Sequence, residues 1–223
     1  MPRNVDTDNM YTPARGVDTV NMVEGPGAAR RYHHGNLRAA LIETAVDQAR
    51  AGGVDAVVLR DAARRTGVSH NAAYRHFADR EDLLAEVSER GMAELEQRMR
   101  DRLADLPGDD GDERAFVRLR AVGREYVHFA LAEPGLFATA FACARPKDGA
   151  PGQGPYGVLS TVLDELVTTG VLPAERRPGA DVTCWAAVHG FAVLCLQGPL
   201  RGLPEQEREA QLDGLLERVV RGL

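Results

Sequence analysis

Val58-Leu-Arg-Asp-Ala-Ala-Arg-Arg-Thr-Gly-Val-Ser-His-Asn-Ala-Ala-Tyr-Arg-His-Phe77 is the stretch on which the reading of this chain turns. Leu59 to Thr66 has the period of a short amphipathic helix, and Gly67 accepts the positive φ that a tight turn needs. Ser69 is a good N-cap for a second short helix over His70 to Phe77. Two such helices joined by Gly-Val-Ser make a helix-turn-helix. Ala63, Val68 and Ala73 are small or apolar and can lock the pair, while Ala62 and Ala72 allow close approach. The outer face then carries Ser69, His70, Asn71, Tyr74, Arg75 and His76. Asn reads adenine bidentately, Arg and Tyr hold phosphate, and the N–H groups after a capped helix start can point at a phosphate too. That donor-rich face has the size of a DNA major groove. A solvated helical hairpin gives the same bare pattern, so the context decides.

Outward from this segment the pattern is helical in both directions. On the N-terminal side, Ile42, Ala45, Val46 and Ala49 recur at helical spacing, and Gly52-Gly53 stop that helix. On the C-terminal side, Asp79 caps a long fourth helix, with Asp82 placed as in a capping box. A stripe of Leu84, Val87, Gly91, Leu95, Met99 and Leu106 carries this helix from Asp79 to Leu106. Residues 107–111 are a linker. A fifth helix, Asp112 to Ala132, presents Phe116, Leu119, Val122, Tyr126 and Phe129 on one side. Pro134-Gly135 starts a short sixth helix bearing Phe137 and Phe141. Residues 145–155 form a mobile loop, a seventh helix runs to Thr169, and 173–179 form another loop. The eighth helix spans Asp181 to Gln197, and Pro204 opens a ninth. No stretch alternates with period two long enough for a strand, so the class is all-α. Residues 1–29, punctuated by Pro and Gly, are expected to be a disordered leader.

Composition narrows the function classes. The 223 residues carry a formal charge of −6, so no bulk basicity marks a nucleic-acid binder. The charge is uneven, however. Between Arg30 and Arg80 nine arginines face five acids, a local excess of +4, which leaves −10 on the remainder. A basic module on an acidic body is a local nucleic-acid footprint. Cys143, Cys184 and Cys195 are too few and scattered for a disulfide scaffold or zinc cluster, which suits a reduced cytoplasmic setting. No secretory signal is read in the leader. The apolar run Val182 to Leu196 is too short to span a bilayer, so no membrane partner is expected. Lys147 is the one lysine among 27 basic residues, and the Ala- and Gly-rich composition suggests GC-rich bacterial codons. Gly-x-Ser-x-Gly, His-Glu-x-x-His and phosphate loops are absent from the sequence, so neither an enzyme nor a cofactor or metal site is expected.

Four blocks taken together carry a resemblance. They are Arg31-Tyr-His-His-Gly-Asn-Leu-Arg38, Leu59-Arg-Asp-Ala-Ala-Arg-Arg-Thr-Gly-Val-Ser69, Tyr74-Arg-His-Phe77 and Asp79-Arg-Glu-Asp-Leu-Leu84. In this order they resemble the N-terminal domain of a TetR/AcrR-family transcriptional regulator. Trp185-Ala-Ala-Val-His189-Gly190 resembles the Trp, His-Gly signature of one C-terminal class in that family, the WHG type. The resemblance implies three segments: the leader at 1–29, a DNA-binding domain at 30–80, and a helical ligand-binding and dimerisation domain at 81–223. It makes Ser69 to Phe77 the recognition helix. Arg80 would stand where a lysine usually touches phosphate, and Arg31 would belong to an arm before the first helix. That arm either touches the minor groove or backbone, or is a solvated flank. Val58 departs from the family by occupying the usual Ser or Thr cap of the second helix. His70 sits where Pro or a small residue is common, and either widens base contacts or lies in solvent.

The C-terminal half fits the implied dimerising, ligand-binding body. The eighth helix is apolar nearly all round, and the ninth carries Leu212, Leu215, Leu216, Val219, Val220 and Leu223 on one stripe. Two such helices paired with a symmetry mate would make a four-helix interface, though burial within one chain also explains them. A pocket for a small-molecule effector is expected among the fifth to eighth helices, walled by Tyr126, Phe129, Phe137, Phe141, Trp185 and His189. Each of these alone is equally a core residue. The functional expectation is a ligand-responsive repressor that binds a palindromic double-stranded DNA operator as a homodimer. The competing expectation is a helical interaction module that does not bind DNA.

Overall fold

A computed structural model describes residues 37–106, 112–143 and 153–223, with the backbone alone for 112–115. The leader, Arg31, the 107–111 linker and most of the 145–155 loop lie outside the described residues. The described segments fold as nine α-helices and two 3-10 turns, with no strand among them.

The first three helices form a small cluster. α1 (Leu37–Gly52) buries Leu41, Ala45, Val46 and Ala49, and ends at Gly53, whose φ of 69° leads into a 3-10 turn at Val54–Ala56. α2 (Leu59–Arg65) buries Leu59, Ala62 and Ala63. Gly67, at φ 74°, turns the chain into α3 (His70–Tyr74). α3 ends three residues before Phe77, because His76 and Phe77 both donate their N–H to the Ala73 carbonyl and tighten the last turn. The buried ring of Phe77 anchors that turn.

α4 (Arg80–Ala104) packs against α1 and more extensively against α5, α6 and α7, so it joins the small cluster to the larger body. Asp79 caps it by accepting from the Asp82 N–H at 2.8 Å, and Asp82 accepts from the Ala78 N–H at 3.1 Å. The return bond thus goes one residue earlier than in a standard capping box. The body continues with α5 (Asp112–Ala132), α6 (Pro134–Ala142), α7 (Gly154–Thr168), α8 (Ala180–Gln197) and α9 (Glu205–Gly222). α7 begins at Gly154, inside the stretch expected to be loop, because Pro155 is pre-set for a first helical turn.

The apolar stripes of α8 and α9 differ in use. On α9, Leu212, Leu216 and Val220 are buried within the chain, and Leu215, Val219 and Leu223 are half-buried. α8 packs on α5, α7 and α9 through Cys184, Val188, Phe191 and Cys195. Its opposite face leaves Val182, Ala186, Val193 and Leu194 in solvent, with Val182 64% exposed. By length and composition alone α8 could cross a membrane, the one such helix among the described residues, but a third of it is buried.

Candidate functional site

The helix-turn-helix is held from beneath. Ala63, Ala73 and Phe77 are at most 2% exposed, and the N–H of Val68 reaches the Ala63 carbonyl at 3.0 Å. The Ser69 hydroxyl accepts from the Ala72 N–H at 3.2 Å, which sets the start of α3. With that inner face fixed, Ser69, His70, Asn71, Tyr74, Arg75 and His76 all stand in solvent. Tyr74 is 44% exposed, and the His70 ring lies against it with centroids 4.3 Å apart. The structure therefore exposes six of the eight expected DNA-facing residues along the stretch from Ser69 to His76.

The other two stand elsewhere. Arg31 is outside the described residues. Arg80 sits at the start of α4, where its Nε donates to the Val57 carbonyl at 2.8 Å and Nη2 donates to the Val54 carbonyl. Its guanidinium is thus a strut tying α4 to the turn before α2, and only its remaining N–H groups are free to meet a phosphate. Two charged residues outside the expected set belong with the exposed face. Arg60 and Arg65 are exposed and make no hydrogen bond or ion pair with a described acid.

The missing side-chain cap at Val58 is replaced from a distance. Val58 provides no capping group, and its side chain is exposed. Instead Gln48, a buried side chain of α1, accepts from the Val58 N–H at 3.2 Å and donates to Asp61 at 2.9 Å. The amide also reaches the Val58 carbonyl at 3.4 Å. Asp61, held besides by Arg64, has its carboxyl below the usual range, first through the Arg64 bond and then through Gln48. Nothing in the local sequence marks Gln48, because it lies ten residues before the position it serves.

In the body, five of the six expected pocket residues form one aromatic cluster. Tyr126 makes edge contacts with Phe137, Trp185 and His189, and Phe141 packs on Phe137, Trp185 and His189. At its centre the Tyr126 hydroxyl and His189 Nδ1 are 2.8 Å apart. Burial pushes the tyrosine pKa up and the histidine pKa down, so a neutral imidazole meets a protonated hydroxyl. Phe129 is not in this group. It is fully buried on another side of α5, under the Arg98 guanidinium of α4 at 5.1 Å.

The open space lies beside that cluster, among α4, α5, α7, α8 and α9, and α6 does not line it. Tyr126 and Trp185 wall it together with Met99, Leu119, Val188 and Leu216, and Arg120 is also among the residues that line it. The empty space is about 400 Å3 with the mouth included, but only about 20 Å3 is wide enough to hold a water molecule. The cleft is closed to anything larger in this conformation.

α6 separates the aromatic cluster from the small N-terminal helices. Phe137 and Phe141 are in the cluster. The other face meets α4, where Ser88 donates to the Ala140 carbonyl at 2.7 Å and Gly91 lies against Leu136 and Ala140. Its first turn abuts the end of α1. A Cβ at Gly135 would stand 2.2 Å from the Ala49 carbonyl, so no larger residue fits without displacing one helix. Arg50 of α1 completes the joint by pairing with Glu94 of α4 at 2.7 Å and with Glu133 at 3.2 Å.

Comparison with known proteins agrees with this architecture. A family model described as bacterial regulatory proteins, tetR family, matches residues 41–87, and one described as tetracyclin repressor-like, C-terminal domain, matches residues 119–220. Together they take in about two thirds of the chain. A protein of unknown function from Rhodococcus sp. RHA1 is 29% identical with a TM-score of 0.71, over 87% of this chain and 98% of its own. Two further structures are similar in fold. FadR from Bacillus subtilis in complex with stearoyl-CoA is 16% identical, TM-score 0.61, over 83% of this chain and 99% of its own. A TetR variant from Acinetobacter baumannii AYE in complex with minocycline is 20% identical, TM-score 0.59, over 83% and 94%. No curated protein matches the chain. With a helix-turn-helix inside the first matched segment and Trp185, His189 and Gly190 inside the second, the chain belongs to the TetR family of DNA-binding transcription regulators, which are not enzymes.

Proposed function

We propose that this protein is a ligand-responsive repressor that works in the cytoplasm and binds a palindromic operator as a homodimer. The observation that carries the reading is the exposure of Ser69, His70, Asn71, Tyr74, Arg75 and His76, with Ala73 and Phe77 buried behind them. Residues 30–80 act as the reading head. α3 enters the major groove, Asn71 and Arg75 reach base edges or phosphate, and Tyr74 packs along the backbone. The free N–H groups of Arg80, together with Arg31 ahead of α1, add backbone contacts.

Residues 81–223 act as the dimerising and sensing body. Support for pairing comes from the uncovered apolar stripe Val182, Ala186, Val193 and Leu194 of α8, since such a face favours burial against a second copy. α9 contributes less than its sequence stripe suggests, because Leu212, Leu216 and Val220 are already buried in the monomer. The effector enters beside Tyr126 and Trp185. Opening the cleft displaces the ring cluster and with it Phe137 and Phe141, and α6 then bears on α1 at Gly135 and on α4 at Ser88 and Gly91. The two heads then no longer match successive major grooves. An effector does this only through unequal affinity for the two states. The complexes of FadR with stearoyl-CoA and of TetR with minocycline lend the fold-level analogy.

A mobility-shift assay with the intergenic DNA upstream of the gene tests this reading. Salt-sensitive binding that is lost on replacing Tyr74 and Arg75 by alanine supports it. Absence of binding to any DNA at low salt contradicts it and favours a helical interaction module.

A further inference from the structure

We propose that the effector is an amphipathic organic anion, an apolar body carrying one carboxylate that pairs with Arg120. This rests on the cleft being the effector site. The walls are almost wholly apolar, and no acid lines them. The groups that could ionise there stay neutral. Burial raises the Tyr126 hydroxyl, and pushes the Cys184 thiol up to about 11. Arg120 is the one charged residue among the described residues lining the space.

What sets Arg120 apart from Arg118 and Arg124 is that no described residue serves as its counter-ion. Its neighbours along α5 are both paired across helices. Arg118 holds Glu165 of α7 at 2.7 Å, and Arg124 holds Glu209 at 3.1 Å and also Asp213 of α9. Arg120, between them and half-buried, makes no hydrogen bond or ion pair with any described residue. An arginine among the lining residues of an otherwise apolar space favours a ligand that brings a negative charge within its reach, and disfavours a cation. Because α9 lines the same space through Leu216, Val219 and Val220, such a ligand would set its apolar part among α5, α8 and α9 while its charge meets Arg120.

A matched series tests the charge requirement. Trp185, the chain's only tryptophan, lines the cleft, so its fluorescence reports occupancy. The full-length protein is titrated with decanoate, decan-1-ol and decylamine, each below its aggregation concentration, and release of operator DNA is followed in parallel. Decanoate is expected to bind about tenfold tighter than decan-1-ol, the size of one charge-assisted hydrogen bond, and decylamine weakest. Arg120→Gln is expected to erase that preference and Arg120→Lys to keep most of it. Equal binding of acid and alcohol, tightest binding of the amine, no binding of any of the three, or a preference that survives Arg120→Gln would each overturn the proposal. A protein that holds its operator yet fails this series sinks the anion and leaves the DNA-binding reading standing. One that takes decanoate through Arg120 but binds no DNA does the reverse.

Discussion

In the body, Arg118, Arg124 and Arg177 each close on carboxylates of another helix. Around α2 and α3, by contrast, Arg60, Arg65 and Arg75 stand in solvent with no described acid bound to them. Arg177 is the extreme case. Its side chain is 19% exposed and holds Asp164 and Asp181 as well as the Ser160 hydroxyl, so it pins α7 to α8. The same residue type therefore welds one region and arms the other. Net charge over the whole chain hides this, because it counts satisfied and unsatisfied arginines alike. The head is not wholly bare, since Arg38 pairs with Glu86 and Arg64 with Asp61, but the cations that hold no described acid belong to the segment proposed to meet DNA.

The sharpest way to break the contrast is to remove side chains from each region in turn. Replacing Tyr74 and Arg75 by alanine should lower DNA affinity by about 100-fold or more in a mobility shift, while leaving the thermal midpoint within error, since both are exposed. A large fall in that midpoint would mean the pair supports the fold. Arg177→Gln should do the opposite. It strands Asp181, itself little exposed, and should cost about 2 kcal/mol in urea unfolding, with operator affinity preserved at low temperature. Operator binding lost in a folded Arg177 variant would show that the two regions are not separable in this way.

Smaller effects sharpen the boundary. Gln48→Ala removes the distant cap of α2, and should cost about 1 kcal/mol of stability in denaturant titration and weaken operator binding through a loosened head. An unchanged midpoint would show that water replaces the amide without loss. The smallest effect is a pH slope in the body. Burial holds the His189 pKa below its usual 6.5, so the unfolded chain takes up a proton that the folded chain refuses. Its contribution is therefore complete above that value and is lost as pH falls through the depressed one. Between about pH 7.5 and about pH 5.5, His189→Gln should lose less stability than the parent protein. Equal losses would remove His189 as the cause.

What could be read from the sequence followed local rules. Gly67, Ser69 and the small residues Ala63 and Ala73 act on neighbours within a few positions, so their roles were legible, as was the all-α class from the stripes of α4 and α9. The features that stayed hidden join residues far apart in the chain. Gln48 caps a helix ten residues away, Arg80 braces carbonyls more than twenty residues back, and Gly135 is forced by a carbonyl on α1. Phe129 was expected in the pocket because it shares a helix side with Tyr126, yet the three-residue offset turns it toward Arg98. Unpaired charge was equally illegible, since which arginine finds an acid depends on packing across helices.

Selection of bound duplexes from random DNA by the full-length protein tests the central claim most directly. The account predicts a two-fold symmetric consensus whose half-sites are about one helical turn, or a multiple of it, apart, recovered by the parent protein and not by the Tyr74, Arg75 double variant. An asymmetric, unrepeated consensus, or the same consensus recovered by the variant, would contradict it.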